Sequence, residues 1–285
     1  VKVFANKVAV ITGAGSGIGR ALALELARRG CHLALCDVNE ASLRATALEA
    51  QELGVRVSHA MIDVADRAQM HAWAERVAAE HGGVNLVVNN AGVSLMTSIA
   101  GADYEDLAWI MGINFWGVVH GTKAFLPHLM ASGDGHIVNI SSVFGLGACP
   151  SQGGYNAAKF AVRGFTECLR AELDMVRSGV SATCVYPGGI RTNIARAARV
   201  HPSVTALGMD ENDDGSNFER MARTSPEKAA KVILRGVAKN KRRVLIGADA
   251  RIIDWIIRLF PAQYQHVAIL VARMGIKRGP AEDAR

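Results

Sequence analysis

No apolar run in this chain reaches the roughly 18 residues that a membrane-spanning helix needs. The nearest stretch, Ile252 to Phe260, is interrupted by Asp254 and Arg258 and stopped by Pro261. A bilayer-crossing segment is therefore not expected. Paired-cysteine motifs are missing too. Cys31, Cys36, Cys149, Cys168 and Cys184 are odd in number and include no CxxC spacing. That pattern opposes a disulfide framework or a metal site and fits reduced thiols in a cytoplasmic compartment. Val1-Lys2-Val3-Phe4 leads straight into strand-like sequence, so no signal peptide is expected. There is no internal repeat, no low-complexity tract and no GxSxG hydrolase elbow. Basic residues are scattered rather than gathered in an aromatic-rich stripe, although the formal charge is +6. Nucleic acid is not an expected partner.

What is present is a strand–helix rhythm. Half of the 285 residues are hydrophobic and 20% are charged, enough for a sizeable globular core. Runs rich in Val, Ile and Ala at Lys7–Thr12, His32–Asp37, Val55–Asp63, Val84–Asn89, His136–Ser141 and Val180–Tyr186 lack a polar alternate face, as buried parallel strands do. Helical stretches lie between them: Gly17–Arg29, Glu40–Leu53, Arg67–Glu80, Asp103–Met130 and Tyr155–Arg177. This alternation predicts a doubly wound, Rossmann-type α/β fold, a parallel sheet with helices on both faces, as one domain over 1–285. Residues 190–225 break the rhythm with an acidic patch, Asp210 to Gly215, flanked by Met209, Phe218 and Met221. A connection of this length is expected to be a substrate lid or mobile loop. A helix opening at Pro226-Glu227, a strand Arg243–Ile246 and a hydrophobic helix and tail over 248–285 complete the chain.

The first strand ends in Thr12-Gly13-Ala14-Gly15-Ser16-Gly17-Ile18-Gly19, from which a helix begins. The GxGxxG pattern is not met; the spacing is TGxxxGxG, through Gly13, Gly17 and Gly19. Glycines there let backbone approach a pyrophosphate, and the helix N-terminus supplies unpaired N–H groups. Asp37, ending the second strand, can accept hydrogen bonds from ribose hydroxyls and would repel a 2′-phosphate. Neither Ser16 nor Val38 offers NADP a positive charge, so NAD is the expected cofactor. Asp37 also reads as a turn residue leading into Asn39.

Tyr155 and Lys159 are four apart on one helical face. An ammonium beside a phenol stabilises the phenolate, so the pair can exchange a proton with an alcohol or carbonyl. Tyr-x-x-x-Lys is common by chance. Ser142, closing a strand whose C-terminal end faces the ligand crevice, adds a hydroxyl able to bond a substrate oxygen. Ser142 reads equally as a turn or cap serine. His136, at the start of that strand, reads as a surface histidine.

Taken with Asp63-Val64, Asn89-Asn90-Ala91-Gly92, Asn114, Pro187-Gly188 and Thr192, these motifs resemble the single-domain branch of the short-chain dehydrogenase/reductase family, in its order and spacing across roughly residues 7 to 192. The resemblance implies that Asp63 bonds the adenine amine and Val64 packs on its ring. It implies that Asn90, Ala91 and Gly92 shape the ribose side, and that Asn114 holds a water in a relay to Lys159. Lys159 would also bond the nicotinamide ribose. Pro187, Gly188, Ile190 and Thr192 would line the nicotinamide. By the same resemblance a homotetramer or dimer is expected.

The segments Val93–Met96 and Val143–Gln152, with the lid, are mainly apolar (Leu95, Met96, Phe144, Leu146, Cys149) and favour a hydrophobic secondary alcohol or ketone as substrate. Cys149 itself reads as a small buried thiol. The expected activity is NAD-dependent alcohol oxidation with Tyr155 as general acid/base. The rivals are an NADPH-dependent carbonyl or ketoacyl reductase and a non-catalytic NAD-binding regulator. For the C-terminal helix, packing onto its own domain is expected ahead of covering the substrate site, subunit contact or membrane-surface contact.

Overall fold

The computed structural model describes residues 1–212 and 222–275. Seven strands form one wholly parallel sheet in the order β3-β2-β1-β4-β6-β7-β9. They are β1 (Val8–Thr12), β2 (His32–Asp37), β3 (Val57–Met61), β4 (Leu86–Asn89), β6 (Gly135–Ile140), β7 (Val180–Pro187) and β9 (Arg243–Ile246). The order reverses direction between β1 and β4, where the ligand crevice of a doubly wound sheet opens. Helices α1 (Gly17–Arg28), α2 (Glu40–Gln51), α3 (Arg67–His81), α4 (Tyr104–Met111), α5 (Gly117–Ser132), α6 (Gly153–Met175) and α7 (Pro226–Ala238) cover its faces. The two main cores lie on opposite faces, one joining α1 to β1 and β2, the other joining α3 and α5 to β4 and β6.

Local chemistry sets several boundaries. Asp66 caps α3 by accepting from the N–H groups of Ala68 (2.8 Å) and Gln69 (3.0 Å), and Gly82 ends it in the left-handed region. The third strand is shorter than its apolar run suggested. It stops at Met61, so Asp63 and Val64 lie in the following loop. The stretch Asp103–Met130 is not one α-helix. A π turn over Gly112–Trp116 separates α4 from α5 and contains Asn114.

Beneath the site runs a buried amide ladder. Asn89 pairs with Asn139 across β4 and β6; its Nδ2 donates to Asn139 Oδ1 (2.8 Å) and to Thr122 Oγ1 (3.1 Å). Asn139 Nδ2 donates in turn to Thr166 Oγ1 of α6 (2.9 Å).

His136 corrects the sequence reading. It is buried within β6, its Nε2 lying 2.8 Å from Thr183 Oγ1 on β7, and burial lowers its pKa to about 3. Between about pH 6.5 and 3 the unfolded chain therefore binds a proton that the folded chain refuses, and stability falls with acidification across that window. At full extent this amounts to on the order of 5 kcal/mol. His136→Gln is expected to flatten the pH dependence of the urea midpoint over that range; parallel curves for variant and parent would discount His136.

The lid differs from expectation in its first half. Arg199–Val200 forms a strand, β8, parallel to β5 (Leu95–Met96), and Pro202–Leu207 winds into a short 3-10 helix. Arg199 stacks 3.6 Å over the Trp109 ring and bonds Asp106 (3.2 Å), while His201 faces Asp103 (3.4 Å). Asp213, Asp214, Gly215, Phe218 and Met221 lie outside the described residues. Beyond them, Ile190 bridges Thr224, which closes the base of the segment. Two further helices, α8 (Ala248–Leu259) and α9 (Tyr264–Gly275), follow β9. No helix among the described residues is long and apolar enough to cross a membrane.

Candidate active site

At the end of β1 the chain turns through Gly13 (φ +64°) and Gly17 (φ +52°), in the region that disfavours any side chain. Space is equally restrictive. A Cβ on Gly19 would stand 2.1 Å from the Gly13 carbonyl oxygen. Asn90 braces this turn from β4. Its Nδ2 donates to the carbonyls of Thr12 (2.9 Å) and Gly13 (3.1 Å), and the backbone N–H groups of Asn90 and Ala91 both reach Thr12 Oγ1 at 3.0 Å. Ser16, the N-cap of α1, is exposed and makes no side-chain cap bond, and no acidic residue occupies the first turn. The N–H groups of Gly17, Ile18 and Gly19 thus open a helix N-terminus suited to an anion. The cradle fits a dinucleotide's pyrophosphate.

The second strand delivers Asp37 to the edge of this loop. One carboxylate oxygen accepts from Gly15 N–H (2.8 Å) and the other from Asn39 N–H (3.0 Å). The turn reading of Asp37 holds, since its carboxylate leads into Asn39 at the start of α2, and the same group also braces the glycine loop. Asp63 is exposed, its Oδ1 accepting from Ala65 N–H (2.9 Å). Val64 is buried against Gly117 of α5, which leaves little of its side chain open to a bound ring.

The candidate proton-transfer residues meet at the C-terminal ends of β6 and β7. Ser142 follows β6, accepts from Phe144 N–H (3.1 Å) and lies beside the Tyr155 phenol. Burial pushes that phenol up to about 12, and Ser142 draws it down. Lys159, one turn on and fully enclosed, is lowered to about 8 by desolvation. Its Nζ donates to the Ile140 carbonyl (3.1 Å) and lies 5.5 Å from the Tyr155 ring centre. Asn114 clamps the strand-to-loop junction opposite: Val93 N–H donates to its Oδ1 (2.8 Å) and its Nδ2 donates to Val93 O (2.9 Å). Gly92 sits between them. A Cβ there would come 3.0 Å from Asn114 Oδ1 and 3.5 Å from Lys159 Nζ.

Pro187 and Gly188 emerge from β7 on the other side of the crevice, with Ile190 buried behind them. The Thr192 methyl reaches across to the phosphate loop, 3.1 Å from where a Gly17 Cβ would stand. The substrate side is walled by Val93, Leu95, Trp109 and Phe144, packed with Ile110 and Tyr155. Phe144 meets Tyr155 edge to face at 6.0 Å. Leu146 does not belong to this wall; it turns into a separate cluster with Cys184 and Tyr186. Cys149 is only half-buried.

Sequence reasoning missed Asp249. From the first turn of α8 its Oδ2 accepts from Gly189 N–H at 2.6 Å, and a Cβ on Gly188 or Gly247 would strike its carboxylate at 2.2 or 2.0 Å. Its only sequence signal, an acidic residue in a helix's first turn, reads as ordinary dipole complementarity. Helices α8 and α9 also pack on the loop after β6: Ile257 of α8 and Tyr264 of α9 close over Gly147, and Ala148 N–H donates to the Tyr264 hydroxyl (3.1 Å). Among the described residues no group of three or more His, Cys, Asp or Glu could hold a metal ion.

A Rossmann-type sheet that brings a glycine cradle to face a buried Ser–Tyr–Lys cluster defines a nucleotide-dependent oxidoreductase class. The chain belongs to the short-chain dehydrogenase family, whose model matches residues 7–202. It is similar to the oxidoreductase SadH of Mycobacterium tuberculosis, with 51% identity over 265 residues, 93% of this chain and 94% of that one. It also resembles mouse 17-beta-hydroxysteroid dehydrogenase 13, with 31% identity over 246 residues, 86% of this chain and 75% of that one. A short-chain dehydrogenase/reductase from Burkholderia phymatum, crystallised with NAD, superposes with a TM-score of 0.81 at 31% identity, covering 99% of each chain.

Proposed function

We propose that this protein is an NAD-dependent dehydrogenase that oxidises a hydrophobic secondary alcohol to the ketone, and reversibly reduces it. The observation that carries this reading is the enclosure of Ser142, Tyr155 and Lys159 under an apolar wall, facing a glycine cradle edged by Asp37. When bound, the nicotinamide supplies the hydride acceptor or donor. Gly13, Ser16, Gly17, Ile18 and Gly19 hold the pyrophosphate at the α1 N-terminus, and Asp37 receives the adenosine ribose hydroxyls. Asp63 flanks the adenine, with the buried Val64 reaching it chiefly through its backbone. Asn90, Ala91 and Gly92 shape the ribose side, and Pro187, Gly188, Ile190 and Thr192 line the nicotinamide.

Ser142 positions the substrate oxygen and Tyr155 exchanges the hydroxyl proton with it. Lys159, charged below about pH 8, bonds the nicotinamide ribose and offsets the developing phenolate. Asn114 Oδ1 and Nδ2 each make one bond, both to Val93, which leaves the amide a lone pair and an N–H to hold a water in a relay to Lys159. Val93, Trp109 and Phe144 make this wall apolar, and the Arg199 guanidinium stacked on Trp109 is taken up by Asp106. That favours a bulky apolar alcohol.

The test is NADH formation across alcohols from short polyols to bulky secondary alcohols, with NADP in parallel. Turnover with NAD and hydrophobic alcohols is expected, and turnover confined to NADP or to polyols would overturn the reading. In the same assay Asp37→Ala is expected to raise the NADP/NAD ratio of kcat/KM by about tenfold or more, the equivalent of ~1.4 kcal/mol. An unchanged ratio would remove Asp37 from cofactor choice.

A further inference from the structure

Helices α8 and α9 use one face to cover Gly147 and leave the other open. Ile252, Trp255, Leu259 and Phe260 share that outer face, and Val267 and Leu270 continue it on α9. Spacings of three, four and seven residues place such side chains on one stripe. Trp255 is 65% exposed and Leu259 62%. Side chains of this size gathered on a surface mark a site of contact rather than ordinary scatter.

The charge around this face is as uneven as its polarity. Residues 239–275 carry seven Lys and Arg against two Asp, a net +5 of the chain's formal +6. Two of those cations are offset within the fold, Arg242 by Asp174 and Arg243 by Asp254; the helices α8 and α9 themselves carry Arg251, Arg258 and Arg273 against Asp249 and Asp254. Both acids of the segment are also engaged in bonds within the fold. Asp249 is bonded to Gly189 N–H, and Asp254 lies between Arg243 (3.0 Å) and Arg258 (2.9 Å). Arg251 and Arg258 stand exposed beside the apolar stripe, as does Arg273 at the end of α9.

We propose that the outer face of α8 and α9 docks on an anionic lipid surface. An apolar stripe edged by cations is the pattern of a helix lying in the plane of a membrane interface, with its apolar side chains in the acyl boundary and Arg or Lys at the headgroups. Each cation held near such a surface adds attraction that salt screens. A second copy of the chain fits less well, because a two-fold contact would set the exposed Arg251, Arg258 and Arg273 of one copy against those of the other. The inner face of these helices lies on the Gly147 loop, so docking would bring the substrate-side wall close to the lipid.

The experiment is cosedimentation of the full chain with vesicles of phosphatidylcholine alone or mixed with phosphatidylglycerol, at low and high salt. Binding to the mixed vesicles is expected to exceed binding to neutral ones by about tenfold and to weaken with salt. Trp255→Ser and Leu259→Ser are each expected to lower the partition coefficient by about tenfold, the loss of one large buried apolar side chain. Their thermal midpoints should stay at the parent value, because both side chains are exposed. Trp255 emission should shift to the blue on binding, a shift that disappears in Trp255→Phe. Equal sedimentation with neutral and anionic vesicles, or none with either, would overturn the proposal. So would a concentration-dependent dimer that Trp255→Ser dissociates while vesicle binding is absent; the face would then be a contact between copies.

Discussion

Tyr155→Phe is expected to lower kcat by about 10³-fold, within the range that positioned proton transfer contributes, while NAD affinity stays within about twofold of the parent. The substitution removes one oxygen and nothing else. Phenylalanine keeps the edge-to-face contact with Phe144 and the packing against Leu95 and Ile110, so a loss of turnover cannot be assigned to a collapsed pocket. Ser142 would lose a polar neighbour on the ring, yet its hydroxyl would still accept from Phe144 N–H. Stopped assays at saturating NAD, with binding followed separately by calorimetry, distinguish the two effects. Retention of more than about a tenth of parental turnover, equivalent to a barrier change below ~1.4 kcal/mol, would mean that another group carries the proton.

The second large effect is expected from Gly19→Ala. Helix propensity alone argues for stabilisation, by about 1 kcal/mol for glycine to alanine inside a helix. Geometry argues the other way and wins. The new Cβ would lie 2.1 Å from the Gly13 carbonyl oxygen and 2.6 Å from Asn90 Nδ2. Those two atoms are hydrogen-bonded to each other, so neither can retreat without opening the turn proposed to cradle the pyrophosphate. A stability loss of about 1–3 kcal/mol is expected from overpacking, with NAD affinity down about 100-fold, ~2.7 kcal/mol. Gly164→Ala is the control. It lies inside α6 with nothing within 4 Å of its added Cβ, so it should stabilise by about 0.5–1 kcal/mol and leave NAD affinity alone. Parental NAD affinity in Gly19→Ala would show that the loop does not bind as described.

The central sheet was readable because β1, β2, β4, β6 and β7 are buried on both faces and therefore apolar almost without alternation. The glycine loop and the spacing of Tyr155 and Lys159 were readable because short-range geometry dictates both. What escaped has its cause in long-range contacts. Strands β5 and β8 are two residues each and exist only through each other, across a separation no periodicity spans. His136 is buried because β7 brings Thr183 to it. Leu146 is drawn inward by Cys184 and Tyr186 on that same strand. The π turn at Asn114 follows a helical pattern that looks continuous in sequence. Asp249 matters through Gly189, which is distant in the chain and adjacent in space.

The amide ladder from Asn89 through Asn139 to Thr166 bears on something other than stability. An apolar core at these positions could fill the same volume, but shape alone would let α6 slide by a fraction of a turn against β6. Thr166 is seven residues from Lys159 on one helix, about 10 Å along its axis, and its hydroxyl is held both by Asn139 and by the Val162 carbonyl (2.6 Å). The ladder therefore works as a depth gauge: it indexes the helix to the sheet and thereby fixes how far the phenol and the ammonium project above the strand ends. Substitutions in this buried row would be read first as a change in catalytic geometry, at a place that touches neither cofactor nor substrate.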